Sequence, residues 1–227
     1  MAGSLLETTL NTRDLGGYRT VSGLVTRCGQ ILRSDRQGYP SERDIRFLLE
    51  LGVTTLIDLR TADDAQRAPS GFAGHPAFTL VYCPIAEGSS VPASPDEVPR
   101  SYLRIALAPH MPAVFRTIAA SDSGVLFSCA AGKDRSGVVS AVLLTLCGVP
   151  DDVVVEDYMR SRDCNQPRFE QLQKRFPDLD MRIVIPQPRY MREFLRLFRR
   201  RWFSPEGYLR DIGLCADEIA SLRAKLL

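Results

Sequence analysis

The stretch from residue 129 to residue 137 reads Cys-Ala-Ala-Gly-Lys-Asp-Arg-Ser-Gly and decides the fold. The apolar run Val125–Phe127 precedes it, and the apolar residues Val138–Leu144 follow it. A strand, a loop and a helix in this order let the loop curl over the helix N-terminus, so that successive backbone N–H groups converge on one point. The segment therefore predicts a phosphate cradle with Cys129 at its base.

Cys129 and Arg135 are the residue types of a nucleophile and a phosphate ligand. Amide dipoles and a guanidinium favour the thiolate, which is the nucleophilic form of cysteine. None of the other five cysteines has an arginine six residues later. Gly132 permits a turn that a side chain would obstruct, and Ser136 is expected to bring a hydroxyl close to the sulfur. The alternative, a buried structural cysteine before an ordinary helix, does not account for this set of residues.

The loop resembles the signature loop of cysteine-dependent phosphatases. With Gly132-Lys133-Asp134-Arg135 it is similar to the atypical bacterial tyrosine phosphatases related to mycobacterial protein tyrosine phosphatase B, and less closely to phosphoinositide phosphatases. Five further segments resemble the same family in the same order: NTRDLGGY (11–18), ILRS (31–34), GVTTLIDLR (52–60), DYMRS (157–161) and GYLR (207–210). The resemblance implies an α/β cysteine-phosphatase fold with a central mixed sheet flanked by helices and a largely helical C-terminal half.

One position departs from the family pattern. The family has histidine immediately before the cysteine, where it orients the loop and favours the thiolate, whereas this chain has Ser128. A serine hydroxyl donates a hydrogen bond, but it has no ring and cannot become a cation. We expect a phosphatase acting on phosphate monoesters through a phosphocysteine. The alternative is a phosphate-binding pseudophosphatase with weak or no turnover.

The loop residues have separate expected roles. Cys129 attacks phosphorus, Arg135 donates two parallel N–H groups to the equatorial oxygens, and Ser136 stabilises the returning thiolate. The substrate-binding residues of the loop are expected to be Ala130, Ala131, Gly132 and Lys133. Lys133 either meets an additional phosphate of a phosphoinositide or is solvated. No cofactor is required.

The leaving oxygen needs a proton, and an acid that supplies it contributes about 10²–10⁴ in rate. Asp134 is the first candidate, although it could instead brace the loop by accepting backbone hydrogen bonds. Glu87 is the second candidate, because the segment after this strand supplies the acid in many cysteine phosphatases. Asp96 and Glu97, in a polar loop, are third.

The coarse pattern predicts an α/β order. Short buried strands are expected at Val53–Asp58, Phe78–Tyr82 and Gly124–Phe127, and a hairpin at Leu24-Val25 and Gln30–Leu32. Ser41 is expected to cap a helix, residues 136–146 to form a buried helix, and the later half to be mostly helical. The segment 88–99, with three prolines, is the clearest loop and could lie over the site. Asp58 and Arg60 are expected to form a structural ion pair.

Composition limits the classes of function. A chain of 227 residues that is 44% hydrophobic suits one domain over residues 1–227. A net charge of +2 gives no case for nucleic acid. Scattered cysteines and two isolated histidines, His75 and His110, argue against a metal site. Because no signal-like or membrane-spanning run is present, we expect a cytoplasmic protein, with signal-less export left open.

The substrate stays open at this level. The expected partner is a phosphorylated protein or a phosphoinositide, and a phosphotyrosine pocket could be lined by Tyr82, Tyr102 and Phe72. The segment Arg189–Trp202 has an apolar side and an arginine-rich side. We expect it to pack on the core rather than contact a membrane surface. The pattern does not predict an oligomeric state.

Overall fold

The computed structural model describes residues 3–227 and has a five-stranded mixed sheet at its centre. The strands are β1 (Arg13–Asp14), β2 (Ile31–Ser34), β3 (Val53–Asp58), β4 (Thr79–Tyr82) and β5 (Gly124–Ser128). Their order in the sheet is β1-β2-β5-β3-β4. β1 is antiparallel to β2, and the other neighbours are parallel.

Helices account for the rest of the regular structure. They are α1 (Glu42–Glu50), α2 (Ala62–Arg67), α3 (Val98–Ala106), α4 (Met111–Ala120), α5 (Asp134–Leu146), α6 (Asp151–Cys164), α7 (Gln166–Arg175), α8 (Met181–Val184), α9 (Pro188–Trp202), α10 (Pro205–Asp211) and α11 (Ala216–Leu226). All strands of the described chain precede α5. The predicted α/β fold, with a mixed sheet and a largely helical C-terminal half, is therefore confirmed.

The sheet separates two apolar clusters, as alternation along a strand requires. On β5, Val125 and Phe127 belong to the larger cluster, and Leu126 belongs to the smaller one. The larger cluster includes residues of α3 to α6 and α9 to α11, whereas the smaller one includes Leu48 of α1. Only Asp134 and Thr145 of α5 are not buried, so the predicted buried helix behind the loop is confirmed.

Local signals set several element boundaries as expected. Asp44 N–H donates to Ser41 Oγ at 3.1 Å, and the Asp44 carboxylate accepts from Ser41 N–H, so a capping box begins α1. Asp58 ends β3 and forms a buried ion pair with Arg60 at 2.6 Å. The predicted cap and ion pair are both confirmed.

The predicted hairpin is wrong. Val25 forms an isolated bridge with Arg19, and the antiparallel partner of β2 is β1. Asp14 accepts hydrogen bonds from the N–H groups of Gly16 and Gly29, which holds β1 beside the start of β2. The partner of β2 is thus determined by contacts that β1 makes. The turn residues around Cys28 give no indication of those contacts.

Two other segments test the sequence interpretation. The predicted loop 88–99 ends early, since a 3-10 turn covers Pro95–Glu97 and α3 begins at Val98. Helix α9 buries Phe194, Phe198 and Trp202 among other apolar residues, which confirms that its apolar side packs on the core. Within residues 3–227, no helix combines the length and apolar character needed to cross a membrane.

The strand register brings loops together at one edge. The carboxyl ends of four parallel strands lie level with one another, at Ser34, Ser128, Asp58 and Tyr82. The crevice at such an edge is where open α/β sheets bind ligands. The loop that follows β5 begins there with Cys129.

Candidate active site

A cavity of about 350 Å³ lies at the carboxyl edge of the sheet. Cys129 and Arg135, at the two ends of the loop after β5, both line it. The segment Gly88–Pro92 and residues of α7 and α8 line it as well. The predicted location of the proline-rich loop beside the site is therefore confirmed, and Cys129 is only 2% exposed at the base.

Two buried asparagines bind the outer side of the loop. Asn11 Nδ2 donates to Ala131 O at 2.9 Å and to Gly132 O at 3.1 Å. Asn165 Nδ2, at the junction of α6 and α7, donates to Ala131 O at 3.1 Å. These bonds fix the direction of two consecutive carbonyl groups.

Two arginines also donate to carbonyl groups of the loop. Arg33 Nη2 donates to Gly132 O at 2.8 Å and to Lys133 O at 3.3 Å. Arg168 Nη1 donates to Ala130 O, and its Nη2 lies 3.5 Å from a carboxylate oxygen of Asp35. Every carbonyl from Ala130 to Lys133 therefore accepts a bond from outside the loop.

The N–H groups of the loop face the opposite way. A trans peptide directs its C=O and the following N–H to opposite sides, and the described chain has no cis peptide. The N–H groups from residue 131 to residue 134 therefore point away from the side chains that hold the carbonyls. Among residues 3–227 they donate to no loop, strand or side-chain acceptor. The loop is a nest of free donors suited to an anion.

Gly132 is required by this geometry. Its φ is +63°, and a Cβ there would lie 2.7 Å from the backbone of Ser34 and of Asp35. A side chain would therefore push the loop away from β2. The prediction that glycine allows a tight turn at this position agrees with the observed backbone.

Arg135 is oriented by two carbonyl groups. Its Nη1 donates to Ile85 O at 3.2 Å and to Leu59 O at 3.4 Å, in the loops after β4 and β3. Nε and Nη2 have no protein acceptor within the described residues, although the side chain lines the cavity. One edge of the guanidinium is thus anchored, and the other edge can donate two parallel bonds to a ligand.

Cys129 differs from the other buried cysteines in its surroundings. Burial raises the pKa of Cys147 to about 11 and also raises the pKa of Cys83, so both remain neutral thiols. Neither lines the cavity, whereas Cys129 does. Only Cys129 among the three combines the free amide donors with a guanidinium.

The two serines beside the motif have different environments. Ser128 ends β5 and is 6% exposed, with its carbonyl accepting from Leu59 N–H. The loop carbonyls are bound from Asn11, Asn165, Arg33 and Arg168, so no contact from residue 128 is needed to shape the cradle. Ser136 is fully buried, and its Oγ lies 3.5 Å from Ser34 O rather than bonded to the sulfur.

Asp134 is the only sequence-predicted acid that lines the cavity in the described chain. Its side chain is 30% exposed, and its Oδ1 accepts from Tyr102 Oη at 2.7 Å. Glu87 immediately precedes the lining segment without lining the cavity itself. Asp96 and Glu97 form exposed ion pairs with arginines.

Lys133 is not a solvated lysine. Its side chain is 6% exposed, its Nζ donates to Val184 O, and Nζ lies 3.2 Å from Asp134 Oδ1. The ammonium group therefore connects the loop to the end of α8. The alternative of a solvated side chain is wrong, because Val184 and Asp134 replace the water around it.

The predicted aromatic walls are wrong. Phe72 belongs to the smaller cluster, Tyr82 is exposed at the end of β4, and Tyr102 lies beneath Asp134. None of the three lines the cavity. Its apolar walls come instead from the proline-rich loop and from α3, α7 and α8: Val91, Pro92, Val98, Phe169, Leu172, Ile183 and Val184.

A buried ion network supports the loop from below. Asp157 of α6 accepts from Arg13 Nε at 2.7 Å, from Arg33 Nη1 at 2.5 Å and from Tyr18 Oη at 2.9 Å. Burial alone would raise the pKa of Asp157, but Arg13 and Arg33 hold it well below the usual range. Burial, with Arg13 nearby, lowers the pKa of Arg33 to about 10, so it stays charged at neutral pH.

The residues that hold the loop were not predicted from the sequence. Arg33 carried a signal, since a charged residue within the apolar strand Ile31–Leu32 needs a buried partner. Asn11 and Asp157 lie in segments with family resemblance, but neither has a local pattern that reveals its partner. Arg168 and Asn165 gave no signal at all.

The arrangement can bind a tetrahedral anion above a sulfur nucleophile. The groups at the cavity are the cysteine, the arginine, the free N–H groups of the loop and a carboxylate. These are the components of covalent phosphoryl transfer.

Comparison with known proteins gives consistent similarities over most of the chain. Residues 5–227 match the sequence model of the tyrosine phosphatase family. The chain is 30% identical to a candidate tyrosine-protein phosphatase of Cupriavidus necator, covering 97% of this chain and 87% of that protein. It is 28% identical to a tyrosine-protein phosphatase of Nostoc commune, covering 86% and 73%. It is 25% identical to the triple specificity protein phosphatase PtpB of Mycobacterium tuberculosis, covering 95% and 99%.

Proposed function

The chain belongs to the tyrosine phosphatase family and is a phosphoric monoester hydrolase, and we propose that Cys129 is its nucleophile and phosphotyrosine its preferred substrate class. The observation that carries this proposal is the convergence on one cavity of the sulfur, the free N–H groups of the loop and the unbonded edge of Arg135. The family prediction made from the sequence is confirmed by the family match.

The first step transfers the phosphoryl group to sulfur. The Cys129 thiolate attacks phosphorus in line, an S–P bond forms, and the P–O bond to the leaving group breaks. Arg135 and the loop N–H groups bind the equatorial oxygens, whose charge they stabilise in the transition state. Asp134 gives its proton to the departing oxygen, so that an alcohol or phenol leaves rather than its anion.

The second step returns the enzyme to its starting state. A water molecule loses a proton to the Asp134 carboxylate and attacks phosphorus, and the S–P bond breaks to release inorganic phosphate and the thiolate. Ser136 can donate to that thiolate after its hydroxyl rotates away from Ser34 O. The atoms balance without a metal or cofactor.

The shape of the cavity supports phosphotyrosine over the alternatives. Apolar side chains, among them Phe169, Leu172 and Ile183, form much of its wall, which suits the flat ring of a phenyl ester. A phosphoinositide would need a free cation for its additional phosphate, but Lys133 is occupied by Val184 O and Asp134. The phosphorylated partner is therefore proposed to be a protein that carries phosphotyrosine.

A substrate panel tests this proposal. We expect a phosphotyrosine peptide to be hydrolysed with at least tenfold higher kcat/KM than the matched phosphoserine peptide or a soluble phosphoinositide, because burying an aryl ring adds about 1.5–3 kcal/mol of binding. Released phosphate measures all three. Faster turnover of the phosphoinositide would contradict the substrate class, and binding of all three without turnover would support a pseudophosphatase instead.

A second measurement identifies the residue that acts as the general acid. We expect Asp134→Asn to lower kcat/KM, which reports the first phosphoryl transfer, by about 10²–10³ on phenyl phosphate and by less than about tenfold on 2,4-dinitrophenyl phosphate, because a good leaving group departs without a proton. Steady-state kinetics on the two esters gives the ratio. Glu87→Gln is the control and should change both rates equally. A leaving-group bias in Glu87→Gln alone would assign the acid role to Glu87.

A further inference from the structure

Asp134 is held by a chain of two buried tyrosines to which the mechanism above gives no role. Tyr102 Oη donates to Asp134 Oδ1 at 2.7 Å, and Tyr158 Oη lies 2.7 Å from Tyr102 Oη. Lys133 Nζ is 3.2 Å from the same Oδ1. Oδ2 has no protein partner within the described residues. Tyr102 and Lys133 thus both donate to Oδ1, and Oδ2 is left available to carry a proton.

The direction of the hydrogen bonds follows from the chemistry of the two phenols. Burial, together with the charge of Asp134, raises the pKa of both Tyr102 and Tyr158 well above the usual value, so both remain neutral. A neutral phenol has a single hydrogen to donate. Tyr102 gives its hydrogen to Asp134, and Tyr158 must therefore donate to Tyr102.

The rings of this pair cannot easily move. Tyr102, on α3, is 1% exposed and makes edge contacts with Tyr158 of α6 at 6.0 Å and with Phe194 of α9 at 6.1 Å between ring centroids. Three helices therefore fix the position of one hydroxyl group. That hydroxyl in turn fixes the carboxyl group of Asp134 at the start of α5.

We propose that Tyr102 is a positioning residue for the general acid, and that it holds Asp134 Oδ1 so that Oδ2 carries the proton to the leaving oxygen. The proposal rests on the proposed function, in which Asp134 is that acid. Tyr158 supports it by donating to Tyr102. A carboxyl group free to rotate would spend part of its time with the proton directed away from the cavity, which lowers the rate of protonation.

Tyr102→Phe tests the proposal, since it removes one hydroxyl and keeps the ring. We expect kcat/KM on phenyl phosphate to fall about tenfold, as for a lost hydrogen bond to a charged group. We expect kcat/KM on 2,4-dinitrophenyl phosphate to change by less than about twofold, because this ester needs no acid in the first phosphoryl transfer. Inhibition by vanadate should be unchanged, since the loop is intact. Equal losses on both esters, or no loss on either, would overturn the proposal.

A matched control separates positioning from packing. Tyr208 is also fully buried, and its Oη donates to Ala106 O, the last residue of α3, at 2.8 Å. Tyr208→Phe should leave the ratio of the two rates at the wild-type value. The double variant Tyr102→Phe, Asp134→Asn should have the same ratio as Asp134→Asn alone. A changed ratio in Tyr208→Phe, or a further change in the double variant, would count against the proposal.

The outcomes distinguish this proposal from the proposed function. If the wild-type protein hydrolyses neither ester, both the proposed function and the role of Tyr102 are contradicted. A wild-type protein that hydrolyses both, with the expected bias in Asp134→Asn but equal losses in Tyr102→Phe, removes only the role of Tyr102. If Tyr102→Phe does not fold, Tyr158→Phe serves instead, with an expected loss of about threefold confined to phenyl phosphate. The same loss on both esters would overturn the proposal there.

Discussion

Cys129→Ser is expected to lower phosphatase turnover by about 10⁴-fold or more while the protein still binds phosphate and vanadate. The loss follows because a serine hydroxyl is not ionised near neutral pH and is a far weaker nucleophile than a thiolate. Binding survives because the loop N–H groups and Arg135 do not depend on sulfur. The neutral hydroxyl also removes the repulsion between a thiolate and an anion, so phosphate should bind at least as tightly as to the wild type.

Turnover of an aryl phosphate and calorimetric titration with phosphate measure the two properties. Cys28→Ser is the control, since Cys28 is exposed and does not line the cavity, and its turnover should equal that of the wild type. Turnover within about tenfold of wild type in Cys129→Ser would remove the nucleophile assignment. Loss of anion binding in a variant with normal Tm would show that the cradle needs the sulfur.

Local patterns were sufficient to predict the loop after β5 and much of the sheet. β3 lies at the predicted strand Val53–Asp58, and α5 begins within two residues of its predicted start at Ser136. In both cases the signal is local, because a short apolar run or a motif of adjacent residues forms one element by itself. The position of Asp134 beside the cavity could be predicted for the same reason, since it belongs to the loop.

The supporting residues could not be predicted because their partners are distant in the chain. Asn11 and Ala131 are separated by 120 positions, and Arg13 and Asp157 by 144. A single sequence contains no information on which of many arginines meets which carboxylate. The cavity walls could not be predicted for the same reason, since nothing in the composition of α7 indicates that it lies beside the loop. The hairpin prediction failed for the same reason, because Asp14, 15 residues before Gly29, holds β1 beside the start of β2.

The ion network beneath the loop leads to the second large expected effect. Asp157 is the only carboxylate within 4 Å of the buried Arg13 and Arg33 guanidinium groups among residues 3–227. Removing its charge leaves two cations close together without a counter-charge. Breaking one partner of a buried ion pair costs about 3–5 kcal/mol, far more than an exposed pair contributes. The same change should loosen the loop, since Arg33 also donates to Gly132 O.

Asp157→Asn is therefore expected to lower the free energy of unfolding by about 3–5 kcal/mol, which lowers Tm by roughly 6–20 °C in a chain of this size. The folded pKa of Asp157 is depressed, so its contribution is fully present above the unfolded pKa of about 3.9 and is lost as the pH falls below it. Thermal unfolding of both proteins between pH 7 and pH 3 measures this. The difference between them should be constant above about pH 5 and should shrink toward pH 3.

Asp151→Asn is the control, because Asp151 forms an exposed pair with Arg199 and its loss should cost less than about 1 kcal/mol. A Tm for Asp157→Asn within about 2 °C of wild type would mean that Arg13 and Arg33 find other partners when the carboxylate is lost. A difference that stays constant down to pH 3 would assign the effect to packing, since packing does not titrate. In the expected case, phosphatase activity at pH 7 falls with stability, because Arg33 joins the ion network to the loop that holds the phosphate.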